Sequence, residues 1–263
     1  MTLASAPSDP SRPSPAPSTL RIQICGPLVI ERNGERLEQG LPGRQGRLLF
    51  TFLVVHRHRL VSRGELAEAL WREPDPGVVD ARLNPLLSKL RRILGAEAVE
   101  GRTTLRLHLP HALVDLESAV EAIHRAESSV AQEDWARAWG PALVALFTAE
   151  RGFMPGEDAT WIDDIRHQLD QLEVRALECY AASGLGLGGA ELAGAERAGR
   201  RLTQLAPLRE SGYRHLMEAL AAQHNLAEAL RVYEELCLCL REQVGVSPGP
   251  VTRAVYERIL AAT

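Results

Sequence analysis

The 263-residue chain lacks most of what would mark it as a membrane, secreted or catalytic protein. No apolar run approaches the roughly 20 residues that a helix needs to cross a bilayer. No basic stretch followed by an apolar core opens it, so a secretory signal is not expected. Cysteine occurs only four times, at Cys25, Cys179, Cys237 and Cys239. None of them sits in a C-x-x-C pair, which argues against a zinc site and a disulfide framework and fits a reducing cytoplasm. No Ser/His/Asp, Cys/His or phosphate-loop arrangement is present, so an enzyme is the weakest class, and no cofactor or metal is implied.

The near-misses have plain explanations. Gly184-x-Gly186-x-x-Gly189 has dinucleotide-fingerprint spacing, but it follows a helical pattern and lacks a βαβ context. A flexible loop between helices is expected there. His56 and His58 have no acidic or thiol partner nearby and read as a basic loop. Cys237 and Cys239 are two apart on a helix and point to different sides. Asp163 and Asp164 are adjacent helical residues that diverge, and read as surface. Trp135, Trp139 and Trp161 read as core anchors.

What is present is an ordinary core and an uneven charge. With 45% hydrophobic and 24% charged residues, the chain can bury the core of one large or two ordinary domains. Residues 21–108 carry 15 basic against 10 acidic side chains, a net of +5. Residues 109–263 carry 14 against 23, a net of −9. A basic N-terminal half suits a polyanion, and an acidic C-terminal half does not. Residues 1–20 are Ser, Pro and Ala with little to bury, and are expected to be a disordered tail.

The first half alternates short strands with helices. Leu20-Arg21-Ile22-Gln23-Ile24 alternates as a half-buried strand does. Leu28-Val29-Ile30 follows, Asn33-Gly34 is a hairpin turn, and Leu37 is expected to open a third strand. The first helix is expected over Gln45–His56. The second opens at Ser62, with Glu65 three residues on, a capping box in which each side chain satisfies an orphan amide. The third runs from near Val79 to Leu94 and stops at Gly95. Its Leu83, Leu86, Leu87, Leu90 and Leu94 recur at helical spacing, while Ser88, Lys89, Arg91 and Arg92 lie off that stripe. Pro85 interrupts it. Either a long helix runs through the proline, or Asn84 caps a shorter one with Pro85 at its first position. The apolar stripe, continued by Leu83, favours the long helix. Ala98-Val99 and Leu105-Arg106-Leu107, joined by Glu100-Gly101-Arg102-Thr103, read as a hairpin. Three helices and a terminal hairpin make a winged helix, whose third helix enters the major groove while the hairpin touches the backbone.

From Asp115 on, helices are expected over 115–127, 132–148, 159–182, 190–204, 208–222, 226–241 and 250–261. Tyr213, Leu216, Leu220, Ala229, Tyr233 and Leu236 have the spacing of a tetratricopeptide unit. One period of about 34 residues earlier, Ala195 and Leu202 match Ala229 and Leu236, with Gly199 at the aromatic position. Stacked helix pairs of this kind usually present a groove to a partner. The expected class is mainly α: an N-terminal winged helix-turn-helix (α+β) over 21–110 and an all-α tetratricopeptide-like domain over 111–263.

Together these parts resemble the Streptomyces antibiotic regulatory protein (SARP) type of activator, which joins an OmpR-like winged helix to a bacterial transcriptional activation domain (BTAD). The resemblance covers about residues 20–262. It rests on G-P-L at 26–28, V-S-R-x-x-L-x-x-A-L-W at 61–71 and L-S-K-L-R-R-x-L-G at 87–95. In the second half it rests on P-L-R-E at 207–210, A-E-A-L-R-V-Y at 227–233 and G-V-S-P-G-P at 245–250. It implies a non-enzymatic, cytoplasmic, nucleoid-associated activator that binds double-stranded promoter DNA, often as a homodimer on direct repeats, and engages RNA polymerase, with no membrane partner. Carried over by position, Arg82, Asn84, Ser88, Lys89, Arg91 and Arg92 would be groove or phosphate residues, and Arg102 and Thr103 wing contacts. Arg63, with Arg44 and Arg47, lies near a helix start, where either a phosphate contact or a solvated surface is expected. The chain departs from the family at Pro85, where a helix former is usual. It also departs in a wing reading G-R-T-T-L-R-L without the usual aromatic. No receiver domain precedes the winged helix, so control through a receiver aspartate is not expected. A helical-repeat adaptor with a protein partner, or an effector sensor whose helical groove gates DNA binding, remain alternatives.

Overall fold

The computed structural model describes residues 20–262, and the tail expected over 1–20 lies, but for Leu20, outside them. Two compact units emerge. Of the described residues, the first takes those from 20 to 22, Val29–Ala67 and Asp75–Leu113. The second takes Gln23–Leu28, Glu68–Pro74 and the chain from Val114 on.

In the first unit, β1 (Leu20–Gln23), β2 (Val29–Arg32), β3 (Glu35–Arg36) and β7 (Ala112–Val114) form a four-stranded sheet in the order β3-β2-β1-β7. Asn33 and Gly34, at φ of 54° and 86°, make the tight β2–β3 turn that their residue types favour. The third strand comes earlier than the hydrophobic pattern suggests. It is Glu35–Arg36, while Leu37 only donates its N–H to the Ile30 carbonyl before a short 3-10 turn over Glu38–Gly40. An exposed two-residue edge strand carries no apolar signature to be read.

The three helices are α1 (Gly43–Val55), α2 (Arg63–Leu70) and α3 (Val79–Leu94). Leu48, Leu49, Phe52 and Leu53 of α1 and Leu83, Leu87, Leu90 and Leu94 of α3 are buried, and α1 packs on α3. Leu86 departs from the expected stripe and is only half-buried at its edge. α3 runs through Pro85 from an N-cap at Val78 that supplies no side-chain bond, so Asn84 does not start a shorter helix. A second, three-stranded sheet follows the order β4-β6-β5, from β4 (Val61–Ser62), β5 (Val99–Glu100) and β6 (Thr104–Leu107). β5 and β6 are the wing hairpin, paired antiparallel as Val99 with Leu107 and Glu100 with Arg106. β4, hidden in sequence beneath the capping box, adds Val61 opposite Leu105 and Ser62 opposite Thr104.

The second unit is a run of helices: α4 (Asp115–Ala131), α5 (Trp135–Glu150), α6 (Thr160–Leu187), α7 (Leu192–Leu205), α8 (Glu210–Ala222), α9 (Leu226–Val244) and α10 (Pro250–Leu260). Each packs on the next. Asp115 anchors the linker Gln23–Leu28 here. Its carboxylate accepts the N–H groups of Ile24 (2.9 Å), Cys25 (3.1 Å) and Leu116 (2.9 Å), and Cys25 bridges to Phe153. The tetratricopeptide positions meet as expected: Tyr213, Leu216, Leu220, Ala229 and Leu236 share one buried cluster with Val232, Leu240, Val255 and Ile259. Tyr233 stacks on Tyr256 with ring centres 4.1 Å apart.

The glycine-rich stretch is not the loop expected from its composition. α6 continues through Gly184 and Gly186 and ends only at Gly188. A Cβ at Gly186 would lie 2.4 Å from the Trp135 ring, and one at Gly184 3.0 Å from the Glu191 carbonyl oxygen. These glycines make room for neighbours. Trp135, Trp139 and Trp161 are half-buried rather than deep anchors. Two of them satisfy their polar edges: Trp139 donates to Glu191 at 3.0 Å and Trp161 to the Ala69 carbonyl at 3.2 Å. Asp163 and Asp164 lie on the surface.

Candidate nucleic-acid interface

The site is assembled from α2, α3 and the wing turn. Ser62 and Glu65 form the capping box: Glu65 N–H donates to Ser62 Oγ at 3.1 Å, and Ser62 N–H donates to Glu65 Oε2 at 2.8 Å. The Ser62 amide, and then Arg59 at 2.7 Å, hold the Glu65 carboxyl below its ordinary pKa. Arg63, the first residue of α2, is thereby aimed across the front of the unit.

At 3.6 residues per turn, the face of α3 opposite its leucines carries Ala81, Pro85, Ser88 and Arg92. All four are exposed. Arg82 and Lys89 flank this ridge on one side, Arg82 exposed and Lys89 half-buried. Asp80, Asn84 and Arg91 flank it on the other, toward Arg63 and the wing.

On that second flank the expected DNA residues bind one another. Arg63 Nε donates to Asp80 Oδ1 at 2.5 Å, Nη2 to Asn84 Oδ1 at 2.6 Å and Nη1 to the Arg102 carbonyl at 3.1 Å. Arg91 Nε donates to the Val99 carbonyl at 3.0 Å and its Nη2 to the Gly101 carbonyl at 3.2 Å. Between these contacts lies a cleft of about 410 Å³, floored by Leu87 and bordered by Arg102 and Thr103. Arg102 and Thr103 are exposed at the tip of the wing turn. Gly101 makes that turn possible at φ 89°, where a Cβ would fall 2.0 Å from the Thr104 carbonyl oxygen.

The structure thus sorts the expected residues into two groups. Ser88, Arg92, Arg102 and Thr103 point outward, with Arg82 and Lys89 beside them. Arg63, Asn84 and Arg91 knit α3 to α2 and the wing. Asp80, the carboxylate of this knot, was missed by sequence reasoning. Its signal was available: it lies four residues before Asn84, on one helical face with it. Arg44 and Arg47 are exposed in the first turns of α1, away from this knot in sequence. Among the described residues no group of His, Cys, Asp and Glu is arranged to hold a metal, and no helix is long and apolar enough to cross a membrane.

Known proteins carry the same parts. Residues 114–260 match the bacterial transcriptional activator domain. The regulatory protein AfsR of Streptomyces griseus is 32% identical over 257 residues, covering 96% of this chain and 26% of AfsR. The transcriptional regulatory protein EmbR of Mycobacterium tuberculosis is 28% identical over 262 residues, covering 92% of this chain and 63% of EmbR. The chain therefore spans about a quarter of AfsR and under two thirds of EmbR. A solved structure of M. tuberculosis EmbR, in complex with a low-affinity phosphopeptide, superposes with a TM-score of 0.78 over 93% of this chain and 65% of that one, at 23% identity. These relatives are named as regulatory proteins, not enzymes. The match over residues 114–260, more than half of its length, makes this chain a member of the bacterial transcriptional activator domain family, of the SARP type.

Proposed function

We propose that the protein is a DNA-binding transcriptional regulator, an activator that seats α3 in the major groove of promoter DNA and sets its wing on the backbone. The observation that carries this is the exposed ridge Ala81-Pro85-Ser88-Arg92, with the wing tip Arg102-Thr103 beside it, in the half of the chain with net charge +5. Arg92 and Ser88 are the residues placed to read base edges, since Arg to guanine is the commonest specific contact. Lys89, Arg82 and Arg102 supply phosphate contacts, which position the protein without reading sequence. The second unit, part of a half with net charge −9, engages RNA polymerase or a second protomer rather than DNA. Such a ligand places the protein in the cytoplasm, at the nucleoid.

The test is binding of the protein to promoter fragments from its own genome, beside a Lys89/Arg92/Arg102→Ala triple variant. Arg91 is left intact because it holds the wing. The variant should lose most of the affinity, and each phosphate contact removed should lower the salt slope by about one. Equal binding by parent and variant would refute the interface.

A further inference from the structure

Pro85 makes the first part of the recognition helix its weakest part. Proline has no N–H for the Ala81 carbonyl, so one rung of the helix ladder is missing. The helix start at Val78 has no side-chain cap. Between Val79 and Asn84 only Leu83 is fully buried. Burial therefore holds this stretch at a single point, and something else must set its direction.

We propose that Arg63 is the positioning residue that sets the front of the recognition helix and the wing in one geometry for DNA. It has this role toward DNA only if the winged helix reads DNA, as proposed above. Its guanidinium forks to Asp80 and Asn84, two residues one turn apart on the same face and both ahead of the proline. A third N–H reaches the Arg102 carbonyl in the wing turn. The root of the side chain is equally well fixed. Ser62 before it is paired with Thr104 of the wing sheet, and the capping box fixes the turn on which it stands. The side chain thus splints the broken stretch of helix to the hairpin, while Arg91 holds the intact stretch to the same hairpin through Val99 and Gly101. Only arginine presents several N–H donors in a rigid plane. Lysine at 63 could hold Asp80 as a point charge but not all three acceptors. The position that matched a phosphate contact in sequence is here given to geometry, because its charge is already met by Asp80.

The experiment compares the full chain with Arg63→Met, Arg63→Lys and Arg63→Met/Asp80→Asn, the last of which removes the ion pair with no change in net charge. Two properties are read: hydrogen–deuterium exchange of the free proteins, and binding to a promoter fragment and to an unrelated duplex across a salt series. Amides of residues 82–84, 86–88 and 101–104 should exchange roughly tenfold faster in both methionine variants, with the buried amides of α1 unchanged as the control for folding. Arg63→Lys should fall between parent and Arg63→Met. The preference for the promoter fragment should shrink about tenfold or more in the double variant, with its salt slope unaltered. Unchanged exchange in these segments would overturn the splint. Faster exchange with undiminished preference would overturn its bearing on DNA. A salt slope lower by about one in the double variant would mark Arg63 as a phosphate contact and overturn the proposal too. If the parent binds no promoter fragment, the regulator reading fails on its own and the role toward DNA goes with it. The exchange arm still decides whether Arg63 couples helix to hairpin.

Discussion

Replacing Gly199 by alanine tests how closely the helices of the second unit are packed. Gly199 stands in α7 at the position where a tetratricopeptide unit carries an aromatic residue. On helix propensity alone, Gly→Ala should stabilise by about 1 kcal/mol. The tertiary structure opposes this. A Cβ at 199 would lie 2.9 Å from Leu216 Cα, 2.9 Å from Leu216 Cβ and 3.0 Å from Leu216 N. Ordinary carbon contacts begin at ~3.5 Å, and these atoms are backbone of α8 and the Cβ fixed to it, none of which can rotate aside as the end of a side chain can. The two helices must separate by several tenths of an ångström, loosening the buried layer of Ala195, Ala198, Leu202, Leu216 and Leu220. Overpacking of this kind costs about 1–3 kcal/mol. The net expectation is a destabilisation of about 1 kcal/mol, up to about 2, or a melting temperature lower by roughly 2–8 °C for a unit of this size. Gly64→Ala is the control. It lies in α2, its Cβ would meet nothing closer than Ser62 Oγ at 3.7 Å, and it should stabilise by a few tenths to about 1 kcal/mol. Both are read by thermal and urea unfolding followed by far-UV circular dichroism. A Gly199→Ala protein as stable as the parent or more so would refute the close α7–α8 contact.

Gly101→Ala should distort the wing turn through its clash with the Thr104 carbonyl and weaken promoter binding, with far-UV ellipticity nearly unchanged; full binding would rule out the wing as built. Leu87→Ala, which opens the buried seam beneath α3, should cost about 2–5 kcal/mol in chemical denaturation. Ser62→Ala removes one arm of the capping box and should cost about 1 kcal/mol by the same assay, provided the other arm from Glu65 remains. Burial holds His215 below its ordinary pKa of 6.5, with the nearby Glu218 and Glu178 only partly opposing this. The unfolded chain therefore takes up a proton below about pH 6.5 that the folded chain refuses, so stability falls as pH drops through that region. His215→Gln should flatten melting temperature against pH between about 7.5 and 5.5, leaving the contribution of His56, which is depressed for the same reason.

How much of the fold could be read in advance depends on where each signal resides. α3 was legible from Val79 to Leu94 because five leucines at helical spacing and a terminal glycine are all local. The capping box was legible because its two bonds join residues three apart. β4 was not, since a two-residue strand is defined only by its partner β6. The stretch Gly184–Gly189 was misjudged because composition favours a loop, whereas the need for glycine comes from Trp135 and Ala195 elsewhere in the chain. At the candidate site, the set of polar residues off the leucine stripe was legible from periodicity. Their division into outward and inward groups was not, because a guanidinium's partners lie as far as 39 residues away in sequence.

By itself, then, the sequence determined what local chemistry controls: the helix faces, the hairpin turns, the capping box, the split of charge between the two halves and the motifs that place the chain in its family. Only the tertiary structure decided what each arginine is for. A side chain's charge is written in the sequence, but the acceptors that claim it are assembled by folding. Arg92 is left facing outward, while Arg63 and Arg91 are claimed by Asp80, Asn84 and the carbonyls of the wing.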